Sequence, residues 1–239
     1  MPSTQRHQSL CRWVMGALTL LAVPVTAGAR ALEFVPEVDA FVKLTDVTRL
    51  YFDSQITTAQ PTGVTEAEVG AHLDITLSPI LRTHLREADW ERDRYLWARV
   101  GYEVFGSPDN QGQGPTEKRV LTEMTGQAPL WSSLNIWLVS RVRIDFRDLG
   151  SAFSKRYRYR LGIQREIALA GGKSLVPYVQ GEMLYDTRYN AWNRRIYQAG
   201  IETTMSEHWR LETYISRQLD DRSASSNVDQ VGLQVKIYW

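Results

Sequence analysis

Cysteine is nearly absent: the 239-residue chain has one, Cys11, and none after it. Disulfides are excluded beyond that point, so stability must come from buried area or from the surroundings. Long apolar runs are missing as well. After Leu32 nothing approaches the ~18 consecutive apolar residues that mark a membrane-spanning helix. Charge is balanced, with 28 basic and 27 acidic residues. That leaves neither a nucleic-acid footprint nor an acidic tail, and no nucleic-acid partner is expected. No glycine-rich phosphate loop stands between a strand and a helix. There is no cysteine ligand in the mature chain, no H-x-x-x-H and no EF-hand spacing, so no metal or cofactor is expected. Linkers, low-complexity segments and internal repeats are lacking too.

What is present begins with an export signal. Arg6, His7 and Arg12 form a basic start, WVMGALTLLAVPV (13–25) an apolar core, and Ala27, Ala29 and Ala31 small residues at A-x-A spacing. These are the parts of a secretory signal peptide, and the apolar run is short for a bilayer span of ~20 residues. Residues 1–31 are assigned to that peptide and 32–239 to one domain. Its removal takes three arginines and no acid, leaving 25 basic residues against 27 acidic.

From there the chain alternates. In 38–44, Val38, Ala40, Val42 and Leu44 oppose Asp39 and Lys43; in 49–56, Leu50, Phe52 and Ile56 oppose Arg49, Asp53 and Gln55. Residues 68–77 set Val69, Ala71, Leu73, Ile75 and Leu77 against Glu68, His72 and Asp74. In 134–146 and 156–166 the polar side is arginine-rich. Period two is a strand pattern, and helical spacing explains none of these stretches. The connections 107–116, 186–193 and 220–227 read as long and 170–174 and 206–208 as short, the alternation of a membrane barrel. Eleven segments alternate clearly. A single-chain bacterial barrel closes on an even number; adding 80–87 as a short strand predicts twelve, and dropping the first segment gives ten.

One apolar and one charged face can be assembled two ways, around a ligand in water or against lipid. Three features favour lipid. The chain ends on VGLQVKIYW, with Val231, Leu233, Val235, Ile237 and Trp239 on one side, a terminal aromatic strand similar to the signal that barrel-assembly machinery reads. Trp131, Trp192, Trp209 and Trp239 fall near predicted strand ends and Tyr157, Tyr159 and Tyr197 near strand starts, as interfacial girdles require. The charged face carries both signs: Arg141, Arg143, Arg147, Arg156, Arg158 and Arg160 with Asp145, Glu166, Glu182, Glu202 and Glu212 within reach. A narrow lumen would make such a ladder pair off, because unpaired buried charge is costly. The fold expected is an all-β, antiparallel up-and-down transmembrane β-barrel.

Four stretches carry a resemblance: READWERDRYLWARVGYE (86–103), RYRYRLGIQRE (156–166), PYVQGEMLYDTRYNAWNRRIYQAGIE (177–202) and WRLETYISRQLDDR (209–222). Together the chain resembles the domain-of-unknown-function family 2490, exported bacterial proteins regarded as outer-membrane barrels. The resemblance implies location and architecture, and no catalytic residue.

Candidate chemistry is thin. Outer-membrane lipid hydrolases need a serine–histidine pair; only His72, His84 and His208 follow the signal peptide, and Ser206 near His208 matches no hydrolase spacing. Asp220, Asp221 and Asp229 form an acidic loop that could bridge divalent ions to lipopolysaccharide. The arginine ladder leaves two readings open: a narrow, anion-leaning passive pore, or a closed structural barrel. The alternatives are an outer-membrane lipid-modifying hydrolase and a soluble periplasmic ligand-binding barrel. The expected partners are outer-membrane lipid, lipopolysaccharide and the barrel-assembly machinery, and the expected location is the outer membrane.

Overall fold

The computed structural model describes residues 31–60, 65–77, 95–107, 116–222 and 227–239. These residues form one sheet: β1 (Ala31–Lys43), β2 (Thr48–Gln60), β3 (Thr65–Thr76), β4 (Leu96–Gly106), β5 (Glu117–Trp131), β6 (Ile136–Asp148), β7 (Phe153–Arg165), β8 (Ile167–Ala168), β9 (Ser174–Asp186), β10 (Ala191–Thr204), β11 (Trp209–Asp220) and β12 (Val228–Tyr238). No α-helix is found among the described residues, only two short 3₁₀ turns.

Strands β1 to β7 pair antiparallel in sequence, β7 pairs with β9, and β9 to β12 continue antiparallel. The ring then closes through β1 and β12, which run parallel from Ala31↔Val228 to Phe41↔Tyr238. Twelve strands are present, but the barrel closes on eleven. β8 is a two-residue spur on β9, and the strand expected at 80–87 lies outside the described residues. The even count rested on antiparallel closure. An odd count demands a parallel seam, and with it the first strand begins at the opposite end of the barrel from Trp239.

The faces follow from the period of two. Outward-facing Leu32, Phe34, Val38, Phe52, Ile56, Val69, Val100, Val120, Met124, Val142, Leu161, Ile163, Val179, Ile201 and Ile215 are exposed. Among the described residues, buried side chains include 23 polar or charged ones and only six large apolar ones, Val35, Phe41, Tyr51, Phe105, Leu121 and Leu184. A water-soluble barrel has the opposite arrangement. This is the side-chain distribution of an outer-membrane-type barrel.

Aromatic side chains collect at both ends of that outer face. Trp131, Trp209 and Trp239 are exposed at one end, and Phe153, Tyr157, Tyr189 and Trp192 at the other. Rings with an apolar body and a polar edge favour a membrane–water boundary. Trp239 is held in the sheet: its N–H donates to the Phe41 carbonyl at 2.9 Å, and its own carbonyl accepts from the Lys43 N–H at 2.9 Å.

Turn lengths are less polarised than the sequence suggests. Four-residue turns at 149–152 and 187–190 match those at 44–47 and 205–208 on the other end. Strands β9 and β10 run on through Asp186 and Asn193, both buried, although 186–193 reads as a polar loop. In a barrel with a wet interior, a polar residue can belong to a strand because it faces the lumen.

Two lumen glycines make room for rings from the neighbouring strand. A Cβ on Gly101 of β4 would lie 1.9 Å from His72 Nδ1, and one on Gly232 of β12 would lie 2.0 Å from the Tyr214 ring. Neither ring can rest flat on the wall beside a larger residue. Gly101→Ala and Gly232→Ala should each lower the stability of the refolded barrel by about 1–3 kcal/mol. Gly126→Ala, whose added carbon would meet nothing closer than 3.6 Å, should leave the urea midpoint unchanged.

Candidate functional site

Inside the barrel lies a cavity of about 600 Å³. At the Trp239 end its wall includes Trp97, Gln127, Trp137, Gln164, Glu166 and Arg210; toward the Ala31 end it includes Glu103 and Arg119 but not Glu117, Arg147, Arg156 or Asp186. The chamber is therefore most developed toward the Trp239 end.

One wall is the arginine ladder of β6 and β7. Arg141 stands opposite Arg160, and Arg143 opposite Arg158. Like charges in facing positions destabilise a sheet, so counter-charge must come from adjacent strands. Glu182 of β9 supplies most of it, accepting from Arg141 Nη2 at 2.9 Å, from Arg160 Nε at 2.5 Å and from Arg158 Nε. Arg143 donates to Glu103 at 2.7 Å and to Asp145 at 2.5 Å. Arg141 also lies 3.5 Å from Glu123. Toward the Ala31 end a second chain runs along the inner side of the neighbouring strands β5, β6, β7 and β9: Arg119 to Glu117 at 2.8 Å, Arg147 to Glu117 at 2.5 Å and to Asp186 at 2.9 Å, and Arg156 to Asp186 at 3.4 Å.

The opposite wall, on β1 to β3, is acidic. Glu37, Asp39, Asp53 and Glu68 line the chamber, and among the described residues none has a lysine or arginine within ion-pair distance. Amide, phenol and imidazole groups hold three of them. Gln234 Nε2 donates to Glu37 at 2.7 Å and Asp39 at 2.8 Å, Tyr51 donates to Asp39 at 3.1 Å, and His72 Nε2 bonds Asp53. Sequence reading singled out the arginines and missed this wall. The same alternation marks its residues, but nothing in the sequence says that Glu37, Asp39, Asp53 and Glu68 come together on one wall. Nearer the Trp239 end, Asp74 accepts from Arg49 at 2.8 Å and Arg99 at 2.6 Å. Those guanidiniums stack over Phe41 and Tyr51. Lys236 reaches Glu202 at 2.6 Å and Glu212 at 2.7 Å.

The sequence candidates thus fall into groups. Arg141, Arg143, Asp145, Arg147, Arg156, Arg158, Arg160, Glu182, Glu202 and Glu212 all carry lumen ion pairs. Glu166 sits at the rim of the chamber. Val231, Leu233 and Trp239 are exposed on the outer face, and Val235 and Ile237 share their register. The acidic loop residues are each paired: Asp220 with Arg194 and Arg222, Asp221 with Arg195, and Asp229 with Arg217. At that rim, outside the strands, the hydrogen bond to Asp220 holds the Arg222 guanidinium above its ordinary pKa. His208 Nδ1 bonds the Tyr238 carbonyl at 2.9 Å, while Ser206 Oγ accepts the His208 backbone N–H at 3.3 Å. His84 lies outside the described residues.

Comparison with known proteins adds the following. No curated protein matches the chain. Among solved structures, the beta domain of the Bordetella autotransporter Brka is similar, with 13% identity and a TM-score of 0.43 over 80% of this chain and 82% of that one. The family described as protein of unknown function (DUF2490) matches residues 87–229. That match leaves β1 to β3, and with them the acidic wall, outside it. It spans more than half of the sequence, and the chain belongs to the DUF2490 family.

Proposed function

We propose that this protein is exported by its N-terminal signal peptide (1–31) to the outer membrane of a Gram-negative bacterium, where it is a closed, non-enzymatic barrel with a polar internal chamber. The Trp239 end faces the periplasm, lipid and lipopolysaccharide surround the apolar belt, and the barrel-assembly machinery reads the strand that ends at Trp239. The observation that carries the closed reading is the filling of the lumen toward the Ala31 end, where the Arg119–Glu117–Arg147–Asp186–Arg156 chain lines the neighbouring strands β5, β6, β7 and β9 and the chamber is least developed. Leu121 and Leu184 are fully buried. Support for a non-enzymatic role is that Ser206 Oγ meets the His208 backbone N–H, and among the described residues no hydrogen bond joins it to the His208 ring.

A narrow pore is the second reading, favoured by the extension of the chamber along β12, β1, β2 and β3 to Gln230, Val35, Gln55 and Glu68. Such a pore would prefer cations. The arginines have carboxylate partners, whereas among the described residues Glu37, Asp39, Asp53 and Glu68 have no lysine or arginine within ion-pair distance. The anion preference suggested by the arginine ladder does not follow once its partners are known.

In planar bilayers the refolded protein should pass no current above background. Glu117→Ala with Asp186→Ala, which removes both carboxylates of that chain and empties part of the lumen, should open conductance steps. Cation-selective steps from the unaltered protein would replace the closed reading with the pore. Glu182→Gln removes the shared partner of three arginines and should cost about 3–5 kcal/mol in a urea unfolding series. On fractionation the protein should migrate with the outer membrane and shift on SDS gels after heating, and deletion of Trp239 should reduce the assembled form. A freely soluble monomer without detergent would overturn the membrane assignment.

A further inference from the structure

Strand β1 is attached differently from every other stave. Its contact with β12 is the one parallel ladder in the ring, and parallel pairing is slightly weaker per residue than antiparallel. Its antiparallel ladder to β2 is interrupted. Leu32–Phe34 and Glu37–Lys43 are paired, and Val35 and Pro36 between them are not. Proline has no N–H to give a ladder and belongs on sheet edges, yet Pro36 sits in a strand flanked on both sides.

Side chains repeat the contrast. Among the described residues, β1 alone of the eleven staves makes no ion pair with another strand; its one pair, Lys43 with Asp46, lies within its own turn. Asp39 stands directly opposite Asp53, an unfavourable like-charge pairing. The side-chain hydrogen bonds from Glu33, Glu37 and Asp39 to β12 go to the amides of Gln230 and Gln234, while Lys236, opposite Asp39, spends its ion pairs on Glu202 and Glu212. One point of the strand is firmly fixed. Phe41 is stacked between Tyr51 and Tyr238, at 4.7 and 4.8 Å between ring centroids.

Topology supplies the alternative partner. β1 is parallel to β12 and antiparallel to β2, so β2 and β12 are antiparallel to each other. With β1 withdrawn, these two strands can close the ring directly. The result is an even, ten-stave barrel, antiparallel throughout, which satisfies the backbone as fully as the eleven-stave form.

We infer that β1 is a removable stave, peeling from the Ala31 end toward a hinge at Phe41, and that the chamber is open sideways at the β1–β12 seam while it peels, until β2 and β12 close behind it. Val35, Glu37 and Asp39, which would move, form part of the chamber wall. The inference concerns the barrel itself, so it can be tested in detergent micelles whatever the cellular location.

Hydrogen exchange of the full chain reads the peeling directly. Amides of residues 32–40 should exchange about ten-fold or more faster than those of β6, as a local opening would. A disulfide between Val38→Cys and Val235→Cys, facing positions across the seam, made in a Cys11→Ser background, should remove the difference. The equivalent cross-link between Ile215→Cys and Val231→Cys on β11 and β12 should not. Deletion of residues 31–43 should still yield a folded, heat-modifiable barrel. Equal protection of β1 and β6 overturns the inference, whatever the deletion does. Fast exchange combined with an unfolded deletion variant overturns the ten-stave closure.

Discussion

In hydrocarbon no water is at hand to satisfy a backbone N–H or C=O, so a sheet that faces lipid must close on itself. Here that closure runs through eleven residue pairs between β1 and β12. Every other feature presupposes it. Without the seam, β1 and β12 would present free edges, the chamber would be open on one side, and the terminal tryptophan would have no Phe41 and Lys43 backbone to join. The outward stripe of leucines, isoleucines and valines gives the ring an outside suited to lipid, and the hydrogen bonds decide that it is a ring.

Closure then dictates what the interior must do. Eleven staves enclose too narrow a space for charges to stay fully hydrated, and bare charge in such a space is prohibitive. The solution on β6 and β7 is sharing. Glu182 answers three arginines, Glu103 and Glu117 two each, so each guanidinium finds a carboxylate although facing positions on the two strands carry the same sign. A network of this kind rigidifies the wall it lines. It also makes that wall intolerant of single losses, since removing one carboxylate leaves several cations uncompensated at once.

Much of this could be read from the sequence, because the two signals that matter are local. Period two in 134–146 and 156–166 identified β6 and β7, and the side on which arginine falls identified the lumen. The terminal run from Val231 to Trp239 identified a last strand that does not fray. Strand number was not local. Whether Ala31–Lys43 joins the ring depends on Val228–Tyr238, two hundred residues away, and alternation alone carries no information about which strands meet or in which direction. The same limit hid the acidic wall: Asp39, Asp53 and Glu68 are each ordinary inward-facing residues, and only adjacency makes them a group. Asp186 and Asn193 misled for another reason, since a polar residue looks like a loop until the wet face of the strand is known.

The two walls meet the same electrostatic problem with different means, and the difference has a mechanical consequence. Arg141 opposite Arg160 and Asp39 opposite Asp53 are both like-charge pairs across a ladder. The first is resolved by a charged bridge to a third strand, which must break if the strands part. The second is resolved by Gln234, Tyr51 and His72, whose hydrogen bonds water can replace at little cost once a strand moves. Strength of attachment around the ring is therefore uneven by construction. It is greatest where arginines and carboxylates interleave on β4 to β9 and least at β1, where the parallel ladder, the proline gap and the neutral donors coincide. A ring under load parts at its weakest joint, and in this one that joint adjoins the wall where Glu37, Asp39, Asp53 and Glu68 have no lysine or arginine within ion-pair distance among the described residues.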